Sequence, residues 1–156
     1  MTLSTGPVHD EEQKCALLAY RLHDGQTDKA GRPYIDHPRR VAALVQASGG
    51  DWVQVCAAWL HDVMEDCGVG AMFLRYMGVP HAVVDLVMDL SHPKGEPYRD
   101  YITRVKASPG LIVKLCDIHD NLDPTRLCYL DGATQRRLRN KYAIALTMLA
   151  SESICS

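Results

Sequence analysis

His61 and Asp62 stand side by side in WLHDVMED, with Glu65 and Asp66 following in the same run. Burying a His-Asp pair on an otherwise apolar stretch is costly unless a positive charge sits against it. Read as one helix continuing from Asp51, His61 and Glu65 are i, i+4, Asp62 and Glu65 are i, i+3, and Asp62 and Asp66 are i, i+4. All four then crowd one end and flank of the helix. Three carboxylates and an imidazole that close together repel, which raises the carboxylate pKa values unless a cation neutralises them. A divalent metal ion meets that need. The competing reading is an exposed acidic helix end on which His61 is merely packed.

Two further runs supply the kinds of ligand such a site still lacks. In PYIDHP, His37 precedes Pro38 and sits at a helix start, where its side chain projects from a rigid loop end. In KLCDIHDNL, Asp117 lies between Leu115 and Ile118, where an unpaired carboxylate costs several kcal/mol. Two imidazoles and two carboxylates form a mixed N/O donor set suited to Mn, Fe, Co or Zn. Taken singly, His37 also reads as a capping or surface histidine and Asp117 as a salt-bridge partner of Lys114.

The elements that must carry these residues are helical by periodicity, and no convincing strand is present. Residues 10 to 23 run polar then apolar, with Asp10 as N-cap and Asp24-Gly25 as stop. Residues 24 to 36, with Gly25, Gly31 and Pro33, read as an irregular loop. Pro38 suits the first turn of a helix that Gly49-Gly50 ends. From Asp51, Trp52, Val55, Cys56, Trp59, Leu60 and Val63 form the apolar stripe of a core-facing helix, with both tryptophans as core anchors. A small helix near 70 to 77, another from Pro80 to about Leu90, and one carrying Tyr98, Tyr101, Ile102 and Val105 follow, separated by a polar break at Ser91 to Glu96. Leu111 to Leu122 carries Asp117 and ends at Pro124. The last helix, roughly 132 to 150, places Leu138, Tyr142, Ala145, Leu146 and Leu149 on one side. The expectation is an all-α single domain over 1 to 156, core about 10 to 150, built as a helical bundle of seven or eight helices.

Composition excludes several classes. At 156 residues and 47% hydrophobic content the chain encloses one sizeable core. A formal net charge of -2 gives no general attraction to nucleic acid. With no basic-then-apolar leader and no apolar run near 18 residues, a soluble cytoplasmic protein without a membrane partner is expected. Among the six cysteines, Cys15, Cys56, Cys116 and Cys128 sit among apolar residues without C-x-x-C spacing, which reads as free buried thiols. The oligomeric state is not legible.

The pattern His…His-Asp…Asp resembles the HD-domain signature of metal-dependent phosphohydrolases. More narrowly, HDGQTDKAGRPYIDHPRRVA, AAWLHDVMED and VKLCDIHDNL, in that order over about 23 to 123, are similar to the hydrolase domain of the RelA/SpoT alarmone enzymes and their small stand-alone relatives. The resemblance implies an all-α fold, one Mn ion, and removal of the 3′-pyrophosphate from guanosine tetra- or pentaphosphate. It implies His37, His61, Asp62 and Asp117 as metal ligands, and Glu65 and Asp66 as the pair that positions and deprotonates the attacking water. It also implies Lys29 and Asn121 as nucleotide contacts, with Tyr142 a third candidate by position. Lys29 also reads as a solvated loop residue and Asn121 as a helix cap. Lacking a synthetase-like extension, the chain is expected to act as a stand-alone hydrolase.

One position departs from that family. Asp28 stands where the alarmone hydrolases usually carry an arginine next to the loop lysine. A carboxylate neither stacks on a base nor offers a planar fork of donors, and it repels phosphate. Another phosphorylated small molecule, such as NADPH, a dNTP or a nucleoside monophosphate, is the alternative substrate. A non-catalytic nucleotide sensor is the third reading, and a water-activating pair argues against it. The basic run Arg136, Arg137, Arg139 and Lys141 reads as a solvated helix face. Arg39 and Arg40 are beside His37 and within reach of a phosphate, one of them facing water. His23 ends a helix as a favourable cation, and His81, His92 and His119 lack evident partners.

Overall fold

The computed structural model describes residues 7–151. Ten helical segments follow one another: α1 Pro7–Leu22, α2 Asp36–Ala47, α3 Trp52–Leu60, α4 Val63–Asp66, α5 Ala71–Tyr76, α6 His81–Leu90, α7 Tyr98–Lys106, α8 Leu111–Asn121, α9 Pro124–Leu127 and α10 Gly132–Ala150. Among the described residues the one extended pairing is an isolated bridge between Thr27 and Pro33. Two of the ten, α4 and α9, are single turns of four residues. The expected all-α bundle of seven or eight helices is therefore present.

α3 occupies the centre, packed against α1, α2, α6 and α8. Its WVQVCAAWL sequence explains why: from Val55 to Leu60 every residue is buried, so the helix is apolar on all sides, not on a single stripe. Cys56, Ala57 and Ala58 are small enough to let neighbouring helices approach closely. α2 lies on both α3 and α8, and α10 closes the far side against α7 and α8. Val41, Val45, Leu60, Val83, Val87 and Ile102 are fully enclosed where these helices meet.

Local sequence fixes the ends of the central helices. Gly49 takes a left-handed φ of 84°, which stops α2. Asp51 then opens α3 with a reciprocal capping box, its carboxylate accepting from Gln54 N–H while the Gln54 side chain accepts from Asp51 N–H. Asp131 caps α10 without the reciprocal bond, accepting from the Thr134 N–H and from its hydroxyl.

Several expectations need correction. The helix from Asp51 does not run through Asp66 but breaks at His61 and Asp62 before the single turn of α4. α1 begins at Pro7, so Asp10 lies in its first turn and is not its cap. Pro124, besides ending α8, opens α9 at its first position, capped by Asp123. Trp59 is buried but Trp52, at the first position of α3, is 37% exposed, as is Leu146 on α10. Cys15, Cys56 and Cys116 are buried free thiols, whereas Cys128 is an exposed one.

The turn between α2 and α3 is tightly packed at Gly50. A Cβ at Gly50 would lie 2.4 Å from Val45 Cγ1 and 3.0 Å from the Val45 carbonyl oxygen. Gly50→Ala should therefore lower stability by about 1–3 kcal/mol through overpacking, read as a reduced urea midpoint with an unchanged m value.

Candidate metal centre and its pocket

The loop of residues 24–35 sets the angle at which α2 begins. Asp28 Oδ1 accepts from the backbone N–H of Ala30 at 2.8 Å and of Arg32 at 2.9 Å, and Tyr34 N–H returns to the Gln26 carbonyl at 2.9 Å. Asp28 thus holds its own loop together. His37 follows as the second residue of α2.

Two imidazoles meet there edge to face, 5.3 Å between ring centroids. Each has its Nδ1 committed elsewhere. His37 Nδ1 is 2.8 Å from Asp120 Oδ2, and His61 Nδ1 is 2.7 Å from the Ala58 carbonyl oxygen. Since a carbonyl oxygen only accepts, His61 Nδ1 carries a proton and Nε2 of the neutral ring is a bare lone pair. This ring-to-backbone bond one turn back also accompanies the end of α3 at this residue.

Both Nε2 atoms face carboxylates. His61 Nε2 lies 3.0 Å from Asp62 Oδ2 and 3.8 Å from Asp117 Oδ1, while His37 Nε2 lies 3.2 Å from Asp117 Oδ1 and 3.6 Å from Asp62 Oδ2. One ligand atom each from His37, His61 and Asp117 falls within 4.8 Å of the others. Despite its proximity to Asp62, His61 Nε2 is enclosed without a hydrogen-bond partner, the contact having ion-pair distance but not donor geometry. Lone pairs and anionic oxygens pointed at one spot require a cation, either a proton on each ring or a metal ion between them. The residues fit a divalent ion.

Electrostatics agree. Burial alone would depress the His37 pKa, but the hydrogen bonds to Asp117 and Asp120 outweigh it and push it up to about 9. His61 is likewise raised, burial being overcome by the Asp62 and Asp117 charges. For Asp117, burial acts upward, yet Lys114 and the two imidazoles hold the carboxyl well below its usual range.

Surrounding groups orient the ligands. Tyr34 O–H donates to Asp62 Oδ2 at 2.6 Å, Lys114 Nζ to Asp117 Oδ2 at 2.7 Å, and Asn121 Nδ2 to Asp117 Oδ1 at 2.6 Å. Asp117 therefore pairs with Lys114 and faces the histidines at once. Asp120, which motif reading passed over, is buried and receives Arg40 Nε at 2.8 Å and Arg126 at 2.7 Å besides His37. The signal for it was present: Asp117, Asp120 and Asn121 are i, i+3, i+4 on one helix. Arg39 turns outward to Asp36. His92, whose backbone N–H donates to Glu65 Oε1 at 2.8 Å, was also missed because residues 65 and 92 meet only in the folded chain. His23, just past the end of α1, is buried with its Nδ1 2.8 Å from Gln26 Oε1.

A pocket of ≈ 530 Å³ opens over the cluster. Glu65, Asp66, Lys29, Asn121 and Tyr142 all line it together with His37, His61, Asp62 and Asp117. Burial and the nearby Asp62 charge raise the Glu65 carboxyl against the lowering effect of His92 N–H, and burial and Asp62 also raise Asp66. Of the basic run on α10, Arg137 and Lys141 reach the pocket; Arg136 and Arg139 do not line it.

The HD-domain family profile matches residues 15–98, more than half of the chain, and the chain belongs to the HD-domain family. A probable guanosine-3′,5′-bis(diphosphate) 3′-pyrophosphohydrolase of Synechocystis sp. is 49% identical over 52 residues, which is 33% of this chain and 7% of that protein. A GTP pyrophosphokinase of Streptomyces coelicolor is 33% identical over 134 residues, 80% of this chain and 16% of that protein. The chain thus spans less than a fifth of the length of these curated relatives. A solved metazoan ortholog of SpoT, which hydrolyzes ppGpp and plays a role in starvation responses, shares the fold with a TM-score of 0.76 at 22% identity, over 97% of this chain and 89% of its own.

Because the ring protons must leave before a cation binds, metal affinity should rise with pH through about 9, where His37 loses its proton, with protons released on binding. Calorimetric titration of Mn2+ in buffers of different ionisation enthalpy measures both. Asp120→Asn, which keeps the shape but removes the charge behind His37, should weaken Mn2+ binding about 10- to 100-fold.

Proposed function

We propose that the chain is a metal-dependent phosphohydrolase that removes the 3′-pyrophosphate from guanosine tetra- or pentaphosphate. The observation that carries this reading is the meeting, in one pocket, of the His37 and His61 Nε2 atoms, the latter enclosed without a hydrogen-bond partner, with the Asp62 and Asp117 carboxylates and the raised Glu65-Asp66 pair. Membership of the HD-domain family and similarity to proteins named as guanosine-3′,5′-bis(diphosphate) 3′-pyrophosphohydrolases support it.

In this reading His37, His61, Asp62 and Asp117 hold one divalent ion, which we take to be manganese. Such an ion supplies polarisation of a phosphoryl oxygen and a lowered pKa for water. Glu65, fixed by the His92 N–H, accepts the proton of the attacking water, with Asp66 beside it as the second carboxylate. Lys114 holds Asp117 in place and adds positive charge next to the reacting phosphoryl group. Lys29 and Tyr142 contact the nucleotide; Asn121 acts through its bond to Asp117 as well as on the substrate.

A second reading keeps the chemistry but changes the substrate to another phosphorylated small molecule such as NADPH, a dNTP or a nucleoside monophosphate. The Asp28 side chain favours it, because its loop-binding role leaves no arginine at that position for a base. A panel assay with Mn2+ separates the two, with phosphate and pyrophosphate release measured on guanosine tetraphosphate, its adenosine counterpart, NADPH and ordinary nucleotides. Pyrophosphate from the guanosine compound is the expected outcome; turnover of other members alone would replace the first reading by the second.

Glu65→Gln should cut kcat by about 10²- to 10⁴-fold while Mn2+ still binds. Since burial and the Asp62 charge raise the Glu65 carboxyl, the acid limb of the wild-type kcat profile should lie above that of an ordinary glutamate and vanish in the variant. Unchanged turnover with bound metal would remove Glu65 from the mechanism.

A further inference from the structure

Away from the pocket, one face of the molecule is apolar and open to water. On α5 and its C-cap, Met72, Phe73, Tyr76 and Met77 are all exposed, Met72 at 84% and Tyr76 at 88%, while Leu74 turns into the core. At about 100° per residue the four fall within about 140° of the helix, so they form one continuous ridge. Met77 carries that ridge onto α1, where it shares a cleft of ≈ 150 Å³ with the exposed Leu17 over the buried Leu18, and Glu11, Lys14 and Arg21 rim the cleft.

Size and charge together select the occupant. Leu17 and the four side chains of the ridge expose roughly 600 Å², the top of the range that single apolar patches reach on monomeric proteins. With the charged rim the face comes to about the 800 Å² per partner that a specific dimer buries. A knob beside a hole is also what a two-fold contact needs, because each copy supplies both halves of it. The rim carries both signs, whereas an anionic lipid surface selects a basic face. Its charges are moreover self-complementary when α1 lies antiparallel on a second copy of itself. Glu11 and Arg21 lie about 15 Å apart along the helix, and Leu17 is next to the midpoint between them, so a two-fold axis there sets Arg21 of each copy opposite Glu11 of the other. Within one copy Glu11 bonds Lys14 at 2.8 Å, and among the described residues no carboxylate is within ion-pair distance of Arg21.

We infer that the face made by α1 and α5 is the contact surface of a symmetric homodimer, with Leu17 beside the two-fold axis, the α5 ridge of each copy against the cleft of the other, and Arg21 of each copy facing Glu11 of the other. None of these residues lines the pocket over the metal centre, so the dimer stands or falls independently of the catalytic reading.

Sedimentation velocity on the full chain over a dilution series, with circular dichroism as the check on folding, tests this. A species of twice the 17.3 kDa chain mass is expected. Met72→Glu and Tyr76→Glu, on side chains that the fold leaves exposed, should each raise the dimer dissociation constant at least about 30-fold. Arg21→Glu and Glu11→Arg should each weaken the dimer, and the double variant should recover more than the two single effects predict, because the swap restores opposite charges across the axis. A wild type that stays monomeric at every concentration overturns the inference. So does one that dimerises only after residues 1–6 are deleted, since the chain's own N-terminal segment is then the occupant. A dimer that neither glutamate substitution weakens, or charge changes that merely add, overturns it as well. If one glutamate variant fails to fold, the other and the charge swap decide under the same criteria.

Discussion

Everything at this site depends on where two ring protons sit. The Ala58 carbonyl and the Asp120 carboxylate each occupy one Nδ1, so that the opposite nitrogens of His61 and His37 turn toward the Asp62 and Asp117 oxygens. Remove that commitment and either ring could flip, presenting a donor where a lone pair is needed. The tautomer is thus set by groups outside the cluster of facing Nε2 and carboxylate atoms. A helix end and a neighbouring helix provide it, so the precision of the centre derives from the packing of α2, α3 and α8.

The helix interruption at His61 and Asp62 belongs to the same constraint. In a continuous helix the His61 and Asp62 side chains would diverge by about 100°, since 3.6 residues make a turn. Here both residues keep right-handed helical angles through the interruption, and the Asp62 carboxylate nonetheless lies 3.0 Å from His61 Nε2, where Tyr34 also reaches it from the loop before α2. The following turn carries Glu65 and Asp66 to the pocket, and the backbone of His92 anchors the first of them. A fully helical segment fits the apolar pattern equally well, so periodicity alone gave no warning of the break.

Charge is sorted within the pocket by depth and by helix. The buried carboxylates Asp117 and Asp120 are compensated by Lys114, Arg40 and Arg126, as removing them from water demands. Among the described residues the cations on α10 and on the loop before α2 lack such partners. The cleft thus has an acidic floor and a basic wall, which the chain's small negative net charge conceals entirely.

Much was legible in the sequence because it depends on local rules. Helical periodicity, the stop at Gly49 and the opening at Pro80 are all written within a few residues, and those elements form where expected. Adjacent His and Asp beside acidic neighbours also point to a cation without any knowledge of the fold. Tertiary structure alone decided what lies far apart in the chain: Asp120 behind His37, His92 behind Glu65, and Lys141 between Tyr98 and Tyr142. It likewise exposed Trp52 and Leu146 and turned half of the α10 basic run inward. The physical reason is that composition and spacing specify which face of a helix prefers burial, whereas the partner opposite that face is chosen by how all the helices pack together.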